Sequence, residues 1–266
     1  MTLTVEKISW RAAIQLTLPK EHGSWSLALE PVAFGLLVAP SAAGLSLALA
    51  AVSGFFLRRP LKILLCELDC ERWKIARASV FVLTIFAAVG LLLAVRLGRV
   101  EHFWPLIPAA LAGLAFVWAD SRNETREGTA EIAGAVTFGI LPAVFAALAG
   151  WSVNQSLALA AMSLTRSVPT ILTVRTRLRM AKRQKVSVQP AIMAVLVGIG
   201  LMTWFAVQHF APWLAPAFAV VFAVRTFWLL LRRPQITARQ IGITEAVLGG
   251  LMLLVLAMTW KSAGGW

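Results

Sequence analysis

Five ionisable side chains lie inside otherwise apolar segments, and they are the residues of this chain best placed to do chemistry. Three are acids, Glu30, Glu131 and Glu245, and two are bases, Arg166 and Arg225. An ionised side chain in hydrocarbon is costly, so each one needs a partner or water. One hypothesis is therefore structural: Arg166 and Arg225 bridge Glu131 and Glu245 and lock a helix bundle together.

The alternative hypothesis is an anion-binding site, and it depends on a row of arginines around Pro169. Arg166, Arg175, Arg177 and Arg179 follow one another along a single segment. On a helix, Arg166 and Arg177 are about three turns apart and share nearly the same face. The planar guanidinium group bonds two oxygens of a carboxylate, phosphate or diphosphate. The row predicts an entry for an anionic headgroup, although it would also suit a nonspecific grip on anionic lipid.

A second unusual element is the segment of residues 19–25, which places Lys20 and His22 beside a predicted helix start. A single histidine is usually structural, but a cation and a titratable group at a helix start also suit an anion or a proton. The candidate anion ligands are therefore Lys20, His22, Arg166, Arg175, Arg179 and Arg225, with Glu131 and Glu245 as their charge partners.

The sequence does not favour a metal or cofactor site. Glu67, Asp69 and Glu71 are spaced by two, which on a helix turns successive side chains about 200° apart, so a Mg²⁺ site there is doubtful. Cys66 and Cys70 have no nearby histidine, which argues against zinc. With three histidines in total, we expect no haem. We name no catalytic residue, and whether the protein is an enzyme stays open.

The elements that must position these residues are apolar segments of membrane-spanning length. The chain is 59% hydrophobic and 14% charged, whereas ordinary soluble domains carry about 25% charged residues. We predict an all-α fold, a polytopic transmembrane bundle of about nine helices forming a single domain over residues 1–266, with residues 1–23 as an N-terminal arm. The predicted spans are residues 24–39, 43–57, 78–95, 103–119, 130–150, 157–174, 187–208, 213–231 and 241–260.

The distribution of positive charge predicts the orientation. Most of the 25 Lys and Arg residues fall in the N-terminal arm and in alternate gaps between spans, and the opposite gaps and tail hold Arg96, Arg99 and Lys261. By the positive-inside rule the N-terminus is cytoplasmic and the C-terminus outside. This pattern also explains the net charge of +13, so the expected partner is the lipid bilayer and not nucleic acid. Two Arg-Arg-Pro motifs, at residues 58–60 and 232–234, are predicted to close cytoplasmic helix ends.

Three short motifs resemble those of the YwiC-like family of bacterial membrane proteins. Residues 19–25 resemble the family's Pro-Lys-(Glu/Gln)-His-Gly-Ala-Trp start, with Ser24 in the place of the common alanine. Residues 174–179 resemble its Val-(Arg/Lys)-x-x-x-Arg segment, and residues 241–246 its Ile-Gly-x-x-Glu segment. The resemblance implies a multi-pass protein of the bacterial inner (plasma) membrane, and it supplies no catalytic residues.

A looser resemblance is to the UbiA-type prenyltransferases, which also have nine helices with a cytoplasmic N-terminus. Residues 118–139 are similar in style to their connection between the fourth and fifth helices. Their two aspartate-rich motifs hold Mg²⁺-diphosphate, whereas here the matching places carry the acids of residues 67–71 and the arginines of residues 175–179. Three functions stay open. The first is binding of an anionic lipid, such as a prenyl diphosphate, or of a small anion in a cytoplasm-facing cavity, with or without the transfer chemistry of a divergent prenyltransferase-like protein. The others are anion transport and a non-catalytic membrane subunit.

Overall fold

A computed structural model of the chain describes residues 22–66, 70–122 and 128–263, and these residues form helices joined by short turns. In chain order the helices are α1 (His22–Val38), α2 (Ala42–Cys66), α3 (Cys70–Leu97), α4 (Leu106–Ser121), α5 (Gly128–Gly139), α6 (Leu141–Leu148), α7 (Val153–Ala181), α8 (Gln189–Val207), α9 (Leu214–Phe227) and α10 (Ala238–Ala263). A 3-10 turn (Val100–Phe103) precedes α4, and a π turn (Trp228–Arg232) continues α9. Because α5 and α6 follow each other along one segment, the described residues form nine segments, which confirms the predicted all-α bundle.

Several of these helices have the length and composition of membrane spans. Six helices of the described residues are long and apolar enough to cross a membrane, namely Arg72–Leu97, Gly128–Leu148, Val153–Ala181, Gln189–Val207, Leu214–Arg232 and Arg239–Trp260. Within α1 and α4 lie the shorter apolar helices Trp25–Val38 and Leu106–Ala119. Large apolar side chains such as Phe81 and Leu92 of α3 point outward, a surface that suits lipid better than water. These helices indicate a membrane protein; nine crossings and their orientation stay predictions.

The two Arg-Arg-Pro motifs have different structures. The motif at residues 232–234 ends the π turn, and Arg233 adopts a left-handed conformation with φ of 48°. The motif at residues 58–60 lies inside α2, which runs on to Cys66, so the predicted helix end there is wrong. The ring of Pro60 is fully buried, and this packing compensates for the backbone hydrogen bond that proline removes.

Helices α2 and α3 extend beyond the thickness of a bilayer core. They contain 25 and 28 residues, or about 37 and 42 Å of helix, against a core of about 30 Å. They cross closely at Gly90, where a β-carbon would lie 2.7 Å from the carbonyl oxygen of Ser46. The basic residues between the second and third predicted spans therefore sit largely on helix extensions and not on a loop.

Helix α1 lies between two apolar clusters, and this position determines where its one acidic residue can point. Phe34 packs into a cluster that includes Met162 of α7 and Leu256 of α10. Val32 packs into a second cluster with residues of α2, α3 and α6 that include Phe145. With both flanks of α1 buried, Glu30 is held inside the bundle and faces α7 and α10.

Candidate functional site

Three of the predicted intramembrane charges meet where α7, α9 and α10 pack together. Arg166 Nη1 donates to Glu245 Oε2 at 3.0 Å, and Arg166 Nη2 donates to the backbone carbonyl oxygen of Glu245 at 2.7 Å. Arg225 Nη2 donates to the same Glu245 Oε2. One carboxylate oxygen thus bridges two guanidinium groups, and all three side chains are buried.

The hydroxyl of Thr170, one turn along α7 from Arg166, completes this junction. It accepts from Arg166 Nη1 at 2.6 Å and from Arg225 Nη2 at 2.8 Å, and it donates to the carbonyl oxygen of Arg166 at 2.7 Å. A hydroxyl has one donor and two acceptor positions, so all three are used. Thr170 therefore fixes the positions of both guanidinium groups relative to α7.

Glu30 of α1 forms the fourth charge of the cluster and is the most loosely held. Its Oε1 lies 3.3 Å from Arg166 Nε, close enough for an ion pair. Its side chain is 15% exposed, against 6% for Arg166 and 9% for Glu245. The other face of the carboxylate lies against Gly249, where a β-carbon would come within 2.6 Å of Glu30 Oε2. Glycine at this position lets Glu30 approach α10.

The cluster leaves several buried polar atoms without a hydrogen-bond partner among the described residues. Four of them are Glu30 Oε1, Arg166 Nε, Arg225 Nε and Glu245 Oε1. Such atoms cost free energy unless water or a ligand bonds them. Three of these four residues, all but Arg225, line a cavity of about 30 Å³ that also exposes the hydroxyl-bearing residues Ser26, Ser163 and Ser167. This volume holds about two water molecules.

The charges of the cluster cancel when all four groups are ionised. Arg166 and Arg225 supply two positive charges, and Glu30 and Glu245 supply two negative charges. The guanidinium group of Arg166 also lies over the ring of Phe222, with 5.2 Å between Cζ and the ring centroid. Buried ion pairs are often no more stable than apolar packing, so this network gives weak grounds for a purely stabilising role.

Three of the four helices that carry these charges are irregular at or near the cluster. Pro31 follows Glu30 in α1, and Pro169 lies between Arg166 and Thr170 in α7. The π turn Trp228–Arg232 begins just after Arg225. Prolines inside helices free backbone carbonyls, and π turns are common at functional sites. Interrupted helices at buried charges are also a feature of membrane carriers.

Glu131 belongs to a separate ion pair. Its Oε2 lies 2.8 Å from Arg175 Nη1, and the Arg175 guanidinium also packs over Gly128 at the start of α5. Arg175 is about 13 Å farther along α7 than Arg166, so the two clusters are distinct. In the structure Arg166 and Arg225 therefore meet Glu245, whereas Glu131 meets Arg175, because the start of α5 meets α7 at a different level.

Among the described residues, the other arginines of the row on α7 do not line the cavity. Arg177 Nη2 donates to the carbonyl oxygen of Pro234 at 2.7 Å, which ties α7 to the turn before α10. Arg179 is exposed near the end of α7. Lys20 lies outside the described residues, and His22 begins α1 with its side chain outside them. Of the six candidate ligands, the structure brings Arg166 and Arg225 together.

The next question is where the structure places side chains that could hold a metal ion. The structure shows no group of three metal-binding side chains within residues 22–66, 70–122 and 128–263. The acids at which a Mg²⁺ site is doubtful fall outside what is described: Glu67 and Asp69 entirely, and Glu71 in its side chain. Sequence reasoning did not include Glu30 among the ligands or their charge partners. The available signal was an acid directly before a proline in an apolar span.

Comparison with known proteins finds one family model that is similar to the first part of the chain. Residues 18–146 match the YwiC-like protein family, which confirms that resemblance over this part. The matched region includes Glu30 and Glu131 but ends before Arg166, Arg225 and Glu245. No curated protein and no solved structure matches the chain. The looser resemblance to the UbiA-type prenyltransferases finds no match here and stays a prediction.

Proposed function

We propose that this membrane protein binds an oxyanion at Arg166 and Arg225, and that the anion exchanges there with the carboxylate of Glu245. The observation that carries the proposal is the bridge itself, in which Glu245 Oε2 accepts from both guanidinium groups. Thr170 Oγ1 is a third polar group at the same point. An oxygen of a carboxylate, nitrate or phosphate also carries negative charge and accepts from guanidinium groups, so we take the position of Glu245 Oε2 as the one that a bound anion would occupy.

The depth of the cluster supports access from the cytoplasm. Glu245 and Arg225 lie about 10 Å from the predicted cytoplasmic ends of α10 and the π turn, whereas Glu30 lies midway along α1. We place the protein in the bacterial plasma membrane with its N-terminus in the cytoplasm, which puts Glu245 and Arg225 nearer to that side. The cavity of about 30 Å³ favours a small anion over a bulky headgroup.

The first experiment measures anion binding by calorimetry on the purified full-length protein in detergent. The probes are nitrate, formate and phosphate as small anions, and geranylgeranyl diphosphate as a lipid with an anionic headgroup. We expect a small anion to bind, and Arg225→Gln to weaken it at least tenfold. Glu245→Gln keeps an oxygen acceptor but removes the competing charge, so it is expected to tighten binding. Arg99→Gln, at an exposed arginine paired with Glu101, is the matched control.

The outcomes separate the open alternatives. Tighter binding of geranylgeranyl diphosphate than of any small anion, lost in Arg225→Gln, would assign the site to a lipid headgroup. Loss of affinity in Arg175→Gln would show that the Arg175–Glu131 pair is part of the site, contrary to the proposal. Absence of binding in both the wild-type protein and Glu245→Gln would leave the network as a structural lock.

A second candidate function, transport of the bound anion, is favoured by the irregular helices at the cluster. The measurement is uptake of isotopically labelled formate or phosphate into proteoliposomes. Binding without uptake would indicate a receptor or enzyme subunit. A carrier would show uptake that is lost in Arg225→Gln and retained in Arg99→Gln.

A further inference from the structure

We infer that Glu30 takes up a proton when the anion binds, so that the site binds an anion and a proton together. This inference rests on the proposed function and names the second ligand of the same site. It follows from the charge balance of the cluster, from the weak hold on Glu30 and from the position of Glu30 on the cavity.

The charge balance requires a compensating ion. The two guanidinium groups and the two carboxylates already cancel, so an added anion leaves one uncompensated negative charge. An unpaired charge in the interior of a bundle costs several kcal/mol. A proton on one of the carboxylates removes this cost.

Of the two carboxylates, Glu30 is the better proton acceptor in geometric terms. Glu245 forms ion pairs with both Arg166 and Arg225. Glu30 has one ion-pair contact, at 3.3 Å to Arg166 Nε, and each carboxylate has an Oε1 with no hydrogen-bond partner among the described residues. A proton on Glu30 therefore gives up less attraction between opposite charges than a proton on Glu245.

The charged groups that face Glu30 come from the helices packed against α1. They are Arg166 from α7 and Glu245 from α10, with Arg225 of α9 bonded to the far side of Glu245. Helix α6 carries no charged residue. On α5, Glu131 is paired with Arg175, and the basic residues of α2 lie in its second half, at Arg58, Arg59 and Lys62. Movement of an anion to Arg166 would leave Glu30 beside a second negative charge, which favours its protonated form.

A path for the proton lies on the same face of α1. Ser26 is one turn before Glu30, toward the predicted cytoplasmic end, and both residues line the cavity. Glu30 is also the most exposed of the four charged groups. Water in the cavity would relay a proton from the predicted cytoplasmic side, near Ser26, to the carboxyl group of Glu30.

The test measures nitrate affinity of the full-length protein by calorimetry between about pH 5 and pH 8, because nitrate stays ionised throughout this range. We expect the affinity of the wild-type protein to fall by up to tenfold for each unit rise in pH where the acceptor titrates. Repeating the titration in two buffers of different ionisation enthalpy should show about one proton taken up per nitrate bound.

The variants identify the acceptor. Glu30→Gln, which imitates the protonated acid, should bind nitrate as tightly as the wild-type protein does at low pH, with no pH dependence and no proton uptake. Glu30→Asp restores a carboxyl group and should restore the pH dependence. Glu101→Gln, at an exposed acid of the turn before α4, is the matched control and should behave as wild type.

The inference and the proposed function can fail separately. Binding of nitrate that is independent of pH in the wild-type protein would overturn the inference and leave the proposed function standing. Proton uptake that persists in Glu30→Gln and disappears in Glu245→Gln would also overturn it, because Glu245 would be the acceptor. Absence of nitrate binding at every pH, in the wild-type protein and in Glu245→Gln, would overturn both.

Discussion

Glu30 and Gly249 are in direct contact across the α1–α10 interface, with the carboxylate of Glu30 filling the space where any other residue at position 249 would place its β-carbon. The distances from that point to Oε2 and Oε1 are 2.6 and 2.7 Å. The next residue, Gly250, has open space at the same point. Two adjacent glycines on one helix thus provide a test site and its control.

Replacing Gly249 with alanine should force the Glu30 carboxylate away from α10. We expect Gly249→Ala to lower the free energy of unfolding by about 1–3 kcal/mol, as overpacking does elsewhere. Gly250→Ala should be neutral or stabilising by up to about 1 kcal/mol, since alanine is the better helix former. Thermal unfolding of both variants in detergent measures the difference. Equal effects of the two substitutions would contradict the contact.

Removing the Glu245 carboxylate should be far more damaging than removing that of Glu131. Glu245→Ala leaves two buried guanidinium groups without their shared partner, which costs about 3–5 kcal/mol. Glu131 is 36% exposed, so water compensates for the loss, and Glu131→Ala should cost no more than about 1 kcal/mol. A double-mutant cycle of Glu245 with Arg225 should show coupling, whereas a cycle of Glu245 with Arg175 should be additive.

The Thr170 hydroxyl should prove necessary to hold the two arginines in place. Thr170→Val keeps the shape of the side chain but removes three hydrogen bonds, two of them to charged groups. We expect a loss of about 1–3 kcal/mol in stability. Thr170→Ser, which keeps the hydroxyl, should retain most of the wild-type stability. If valine and serine behaved alike in denaturant unfolding, the hydroxyl would have no such role.

The predicted orientation can be checked with single cysteines in a variant whose Cys66 and Cys70 are replaced by serine. In the variant Arg99→Cys, the new thiol is expected to react with a membrane-impermeant maleimide added outside intact cells. In Lys185→Cys, the thiol is expected to react only after the cells are opened. Reporter fusions to the two ends should report opposite compartments. Labelling of both positions from the same side would contradict nine crossings.

The helices could be predicted from the sequence because their signal is local. Apolar length and flanking charge placed all nine segments to within a few residues at most ends. The largest difference is at the end of the second span, which the sequence predicts before Pro60, whereas the helix continues to Cys66 and buries the proline ring. Whether a proline ends a helix or is packed inside it depends on neighbouring helices, which a local pattern does not contain.

The ion pairs could be predicted only in part because their partners are far apart in the chain. Arg166 and Glu245 are separated by 79 residues, and their charges alone were enough to suggest pairing. Choosing Glu30 over Glu131 as the second acid required knowing that α1 packs between α7 and α10 and that Gly249 leaves room there. Neither fact follows from composition or spacing.

Because the four charged groups of the cluster cancel one another, the transmembrane voltage does no net work on them when the surrounding helices move. A single uncompensated charge that crosses the membrane would gain or lose about 2.3 kcal/mol per 100 mV. A monovalent anion accompanied by a proton preserves the cancellation, so under the proposed transport function a cycle between the empty and the loaded states would be electroneutral. Such a cycle would run equally well in an energised and in a depolarised cell.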